Sequence, residues 1–171
     1  MTTVVNSLRQ FIRAVPDFPQ QGILFRDIAP LLRERFSETI DALSALLPQE
    51  RWATIDAVAG IESRGFILAA ALAARHAKGF VPIRKQGKLP PPVIHRTYSL
   101  EYGNGVLEMQ RGTGNLLLID DVLATGGTLS AAAELCIDAG FTVTALAVLI
   151  DLNLVPDFRW REQPALSVLE Y

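Results

Sequence analysis

Between Ile55 and Ile150 the chain alternates short apolar runs with longer stretches in which apolar and polar residues mix at helical spacing. Ile55–Ala59, Gly79–Ile83, Leu116–Ile119 and Val143–Ile150 carry almost no polar position, the pattern of strands buried on both faces. Gly65–Ala77 and residues 128–139 are rich in small and apolar residues and read as helices. Residues 5–14 also read as helical, with Leu8, Phe11 and Ile12 on one face. Val15–Asp27, punctuated by Pro16, Pro19 and Gly22, reads as loop. Ser37 is placed to cap a helix running to about Leu47 and ended by Pro48. Tyr98–Gln110 predicts a hairpin centred on Gly103-Asn104-Gly105. Residues 84–95 are basic and proline-rich, and 151–165 read as a surface excursion. Strands alternating with helices predict an α/β fold with a mostly parallel sheet and right-handed crossovers. Neither a repeat, a low-complexity segment nor a linker breaks the chain, so one domain over 1–171 is expected.

In such a sheet ligands belong beyond the carboxyl ends of the strands, and the polar residues there are unusual. The run Leu116-Leu-Leu-Ile119 stops at two adjacent carboxylates, Asp120 and Asp121, and Thr125-Gly126-Gly127-Thr128 follows before the helix. Free backbone N–H groups, glycines that let a ligand approach and hydroxyls at a helix N-terminus form a phosphate cradle. The paired carboxylates suit two vicinal hydroxyls, so together the elements match a ribose 5-phosphate. The plain alternative is an ordinary strand-to-helix connection whose aspartates are solvated or cap the helix. The other familiar phosphate loop is not matched, because no Lys follows the glycines.

Two further loops sit at predicted strand ends. Gly60-Ile61-Glu62-Ser63-Arg64-Gly65 places a guanidinium at a helix entrance, which suits a pyrophosphate; Arg64 paired with Glu62 on the surface is the alternative. Arg84-Lys85-Gln86-Gly87-Lys88 puts three cations in five residues, either an anion-binding loop or a solvated basic one. His95, on the same stretch, is a candidate anion contact, whereas His76 reads as exposed and inert.

Composition narrows the class. The chain has 171 residues, half hydrophobic and 20% charged, with a net charge of −2. That length supports one sizeable core, and the charge gives no reason to expect a nucleic-acid or membrane partner. The single Cys136 cannot form an internal disulfide and reads as packing in a reducing, cytoplasmic setting. No signal peptide or membrane span is expected.

Taken in order, these segments closely resemble the adenine phosphoribosyltransferase family, within the type I phosphoribosyltransferases. Pro16-Asp17-Phe18-Pro19 and Gly22–Ile28 resemble its purine-binding segment, about residues 16–28. Gly60–Phe66 resembles its pyrophosphate loop, Arg84–Pro90 its basic loop, and Tyr98-Ser99-Leu100-Glu101-Tyr102-Gly103 its catalytic flap, a hairpin of about 96–110. Leu118–Thr128 resembles its phosphoribosyl-pyrophosphate (PRPP) motif, and Ser167–Tyr171 its usual ending. The connection Met109–Asn115 is shorter than the family's, and 151–165 match it poorly.

The resemblance implies the type I fold, a mostly parallel central sheet flanked by helices with a mobile hairpin flap. It implies transfer of the 5-phosphoribosyl group from PRPP to adenine, giving AMP and pyrophosphate, with Mg²⁺ held mainly through PRPP and water rather than by direct protein ligands. Asp120, Asp121, Ala124, Thr125, Gly126, Gly127 and Thr128 would bind PRPP and AMP. Glu62, Ser63, Arg64, Arg84, Lys85 and Lys88 would bind pyrophosphate, with a cis Glu62–Ser63 bond. Leu24, Phe25, Arg26 and Val122 would bind adenine, Phe25 and Val122 by stacking. Glu101 and Arg64 would be catalytic, Glu101 assisting proton transfer at the purine. A homodimer is implied, with the basic loop near the partner's site. A phosphoribosyltransferase for another purine and a non-catalytic PRPP-sensing regulator are the rival readings.

Overall fold

The computed structural model describes residues 7–100 and 103–171, in two compact units, residues 1–45 and 46–171. In the first unit, strands β1 (Arg13–Pro16) and β2 (Leu24–Asp27) pair antiparallel, Arg13 opposite Asp27 and Pro16 opposite Leu24. The prolines and Gly22 of this stretch therefore belong to a hairpin and its turn, where a loop was expected, and Arg13–Pro16 ends the helix predicted over 5–14. Within the described part of that helix only residues 7–9 are helical. Asp17 accepts the Gly22 N–H at 2.7 Å and closes the turn. Helices α1 (Ala29–Glu34) and α2 (Phe36–Ser44) follow. Arg35, not Ser37, sits at the N-terminus of α2, which ends before Leu47.

The second unit holds eight strands in the order β5-β6-β4-β3-β7-β8-β10-β9. These are β3 (Ala57–Ile61), β4 (Gly79–Lys85), β5 (Ile94–Leu100), β6 (Gly103–Met109), β7 (Asn115–Leu123), β8 (Thr142–Asp151), β9 (Arg159–Trp160) and β10 (Gln163–Glu170). Strands β4, β3, β7, β8 and β10 run parallel; β6 pairs antiparallel with β4 and β5, and β9 with β10. Helices α3 (Gln49–Ala53), α4 (Arg64–Arg75) and α5 (Gly127–Asp138) complete it. The apolar runs are the reason for this sheet: Leu116–Ile119 and Leu146–Ile150 are buried throughout and pack with Ile61, Ile83 and the small residues of α5.

Several boundaries differ from expectation. Strand β7 runs on through Asp120, Asp121 and Val122, because backbone pairing to β8 continues past the last apolar residue. Pro48 precedes α3 instead of ending structure, since its extended backbone is a favourable helix entry. Leu100 pairs with Gly103, so Gly103-Asn104-Gly105 are strand residues rather than the turn. Residues 151–165 are not a plain excursion: they contain β9 and the start of β10, and Trp160 is buried. His76 is half-buried, stacked on Trp52 at 3.6 Å between ring centroids, and burial lowers its pKa. No helix among the described residues is long and apolar enough to cross a membrane.

Candidate active site

Chain direction locates the site. From β3 the chain crosses through α4 to β4 on one side; from β7 it crosses through α5 to β8 on the other. The neighbours β3 and β7 therefore form a topological switch point, and a crevice opens beyond their carboxyl ends. The loops after β3, β4 and β7 meet there, and these are the three loops singled out in the sequence.

The loop after β3 contains a cis peptide bond between Glu62 and Ser63. Arg64, at the start of α4, lies 2.6 Å from Asp121, an ion pair across the crevice. The contact is ionic in character, since Asp121 Oδ2 is buried and accepts no hydrogen bond. Glu62 instead holds the next loop: it accepts the Lys85 N–H at 3.0 Å and Arg84 Nε at 3.2 Å. Burial pushes the Glu62 carboxyl up, but these donors and cations outweigh it, and its pKa is lowered. Its carboxylate thus holds Arg84 and the Lys85 backbone in place. Arg84 also donates to the Lys88 carbonyl at 3.1 Å. Glu108 on β6 accepts the N–H groups of Gly87, Lys88 and Leu89.

Close approach of the first and third loops depends on Gly65. A methyl group there would come 3.0 Å from the Ile119 carbonyl and 3.1 Å from Asp120 Oδ1. The Asp120 carboxyl is held well above the usual carboxylate range, first by burial and then by the charge of Asp121, against the pull of the Asp121 N–H and of Arg64. Two carboxylates sharing so small a space are costly for a fold that needs only a helix cap.

Beyond them the backbone turns at Gly126, whose φ of +80° places it at the N-terminus of α5 with no side-chain cap. A small cavity of about 80 Å³ lies at this N-terminus, lined by Asp120 and residues 122–129. The ring of Phe158 lies directly against Gly126. Trp160 donates to Glu134 at 2.8 Å, and Arg161 reaches Glu134 through two nitrogens at 2.9 and 2.7 Å. Residues 158–161 therefore strap the phosphate-loop helix, a role hidden in the sequence because the contacts join residues about 30 positions apart. A larger cavity, about 720 Å³, lies at the amino ends of β8 and β10 and contains none of the predicted site residues.

His95, on the flap strand β5, faces the Glu108 carboxylate at 3.7 Å. Leu24, Phe25 and Arg26 lie on β2 of the first unit, where Leu24 is exposed and Phe25 packs edge-on against Phe18 at 5.1 Å. Val122 is half-buried near the end of β7. Glu101 lies outside the described residues. Among the described residues no three His, Cys, Asp or Glu side chains cluster as a metal site.

A parallel sheet with a phosphate cradle and paired carboxylates at its switch point defines a phosphoribosyltransferase, and the model of the phosphoribosyl transferase domain matches residues 31–155. An adenine phosphoribosyltransferase from Hydrogenovibrio crunogenus is 50% identical over 167 residues, 97% of either chain. The crystal structure of the adenine phosphoribosyltransferase from Rhodothermus marinus superposes with a TM-score of 0.89 at 41% identity, over 100% of both chains. That of the Saccharomyces cerevisiae enzyme, complexed with an imino-altritol bisphosphate and adenine, gives 0.89 at 33% identity, over 99% of this chain and 100% of that one. The chain belongs to the adenine phosphoribosyltransferase family.

Proposed function

We propose that the chain transfers the 5-phosphoribosyl group of PRPP to adenine, releasing pyrophosphate and forming AMP. The observation that carries this is the meeting, at one switch point, of the Asp120–Asp121 pair, the Gly126 cradle and the cations Arg64 and Arg84. The bond from ribose carbon 1 to pyrophosphate breaks, a bond to adenine N9 forms, and the N9 proton leaves. Asp120 and Asp121 hold the ribose hydroxyls and lie near the positive charge developing on the ring. Ala124–Thr128 hold the 5-phosphate through the helix N-terminus. Arg64, Arg84, Lys85 and Lys88, with the Glu62–Ser63 backbone, receive the departing negative charge.

Mg²⁺ would enter as a guest of the substrate, held mainly through the phosphates of PRPP and water while Asp120 and Asp121 take the ribose hydroxyls. When bound it would neutralise charge on the leaving pyrophosphate. The assignment of adenine to Leu24, Phe25, Arg26 and Val122, and of proton transfer to Glu101, rests on the family resemblance. The flap hairpin β5–β6 would close over the site and exclude water. One domain over 1–171 is supported by the family match, which runs across the boundary between the two units.

The deciding experiment is a nucleobase panel assayed with PRPP and Mg²⁺. Adenine N1 accepts and its amine donates, whereas hypoxanthine reverses both, so fixed backbone partners should discriminate by ~10⁴-fold or more. Comparable turnover of the two bases would overturn the assignment. We also propose a cytoplasmic homodimer. Phe66 and Phe80 meet edge-on at 5.7 Å beside Ile67, and Ile67 and Phe80 are 45% and 39% exposed, an apolar face that a second copy would cover. Light scattering should give twice the chain mass, and a fully active monomer would refute the dimer.

A further inference from the structure

We infer that Glu108 is a positioning residue: from the flap hairpin it fixes the backbone turn Gly87–Leu89, and with it the cations that receive pyrophosphate. The inference rests on the assignment of the basic loop to pyrophosphate made above.

Three successive N–H groups that converge on one point form an anion nest. In the turn after β4 they converge on a carboxylate of the chain itself. Glu108 Oε2 accepts from Gly87 at 2.9 Å, and Oε1 from Lys88 at 2.6 Å and Leu89 at 2.7 Å. The residue is 1% exposed, yet among the described residues no Lys or Arg ion pair accounts for its burial; the nearest cationic candidate there is His95 at 3.7 Å. Burial pushes the carboxyl up, and the three N–H groups with His95 outweigh it, so it remains ionised. The nest is thus filled from within. Pyrophosphate is left to the side chains of Arg84, Lys85 and Lys88; Lys88 lies in the turn that Glu108 holds, and Arg84 is tied to that turn through the Lys88 carbonyl.

The placement of Glu108 gives that hold a mechanical meaning. Among the described residues strands β4 and β6 share two registered pairs, Arg84 with Glu108 and Lys85 with Leu107, continued by a bond from Gln86 N–H to the Val106 carbonyl. Glu108 therefore faces Arg84 across the junction between the flap and the parallel sheet, and its side chain grips the turn just beyond. Glu108 holds the turn 87–89 by its side chain, beside the backbone bond from Gln86 N–H to the Val106 carbonyl at 3.1 Å, so movement of the flap strand is carried to the cationic loop. A glutamate needed only for packing would not spend both oxygens on consecutive amides of a loop with a positive-φ glycine at its head.

The test is Glu108→Gln, which keeps the shape, removes the charge and turns an amide nitrogen toward N–H donors. Amide hydrogen exchange at residues 87–89 should rise by about tenfold or more. The KM for PRPP and the inhibition constant of pyrophosphate should rise about tenfold, while AMP binding and the KM for adenine stay within about twofold. A purely structural loss would lower the active fraction and the melting temperature without splitting these constants. Glu108→Asp, which keeps the charge but shortens the reach, should restore part of the protection, and it is the variant to read should Glu108→Gln not fold. Unchanged exchange at 87–89 overturns the hold on the turn. Raised exchange with unchanged pyrophosphate inhibition overturns the link to the cations. In that case Arg84→Ala, run alongside, tells which premise failed. If it weakens pyrophosphate, Glu108 is not the positioning residue; if it does not, the basic loop is not the pyrophosphate site.

Discussion

Gly126→Ala tests the strap over the phosphate loop. The glycine has φ +80°, where an alanine costs about 1–2 kcal/mol. Its new methyl would lie 2.1 Å from Phe158 Cε2 and 2.5 Å from Cδ2. Ordinary carbon contacts are about 3.5–4.0 Å, so the ring must retreat by more than about 1 Å. It cannot swing away freely, because Phe158 packs on the core and Trp160 and Arg161 are tied to Glu134. Overpacking of this kind costs about 1–3 kcal/mol. Together the two effects amount to about 2–5 kcal/mol, a fall of about 4–20 °C in melting temperature for a chain of this size. The KM for PRPP should rise as well, since the cradle moves with the glycine. Calorimetry of Gly126→Ala, Phe158→Ala and the double variant separates the parts. In the Phe158→Ala background the steric share disappears and only the backbone share remains, a coupling of about 1–3 kcal/mol. A melting temperature within about 1 °C of the parent, or costs that simply add, would refute the strap.

Two more outcomes follow from the site. Asp120→Asn should raise the KM for PRPP while increasing thermal stability at neutral pH. The folded carboxyl is shifted upward, so its penalty is absent below the ordinary unfolded value of about 3.9 and grows as the pH rises through the folded value. The stabilisation should therefore fade as melts are repeated toward pH 4, and an equal gain at every pH would refute its electrostatic origin. Glu101→Gln should lower kcat by ~10²-fold or more with little change in the KM for PRPP; a parent-like rate in a single turnover would remove Glu101 from the chemistry.

The parallel core was legible because burial on both faces leaves a local signature, four apolar runs that became β3, β4, β7 and β8. Their ends were not legible. At Asp120 the side-chain pattern changes from apolar to acidic, but the ladder to β8 is made by backbone and carries on to Leu123. The β1–β2 hairpin was hidden by Pro16, Pro19 and Gly22, which signal a turn without saying that the flanking residues pair. The 158–161 strap was hidden for another reason: Trp160 and Arg161 find Glu134, 26 and 27 residues earlier, and no local periodicity records such a pairing.

The site residues were legible as types, yet their partners were not, and the partners alter the chemistry. Each cationic element read as anion-binding is held by a carboxylate from a different element: Arg64 by Asp121 of β7, Arg84 by Glu62 of the loop after β3, and the turn 87–89 by Glu108 of the flap. If Arg64 and Arg84 receive the leaving group as proposed, such pairing fixes them before substrate arrives and keeps reorganisation small. Under the proposed assignment it also couples the two halves of the substrate. Asp121, assigned to the ribose, faces Arg64, assigned to pyrophosphate. When the carbon–oxygen bond between those two parts lengthens, positive charge grows on the side of the carboxylates and negative charge on the side of the guanidinium. Under that assignment one ion pair spans the bond that breaks, joining the carboxyl end of β7 to the N-terminus of α4.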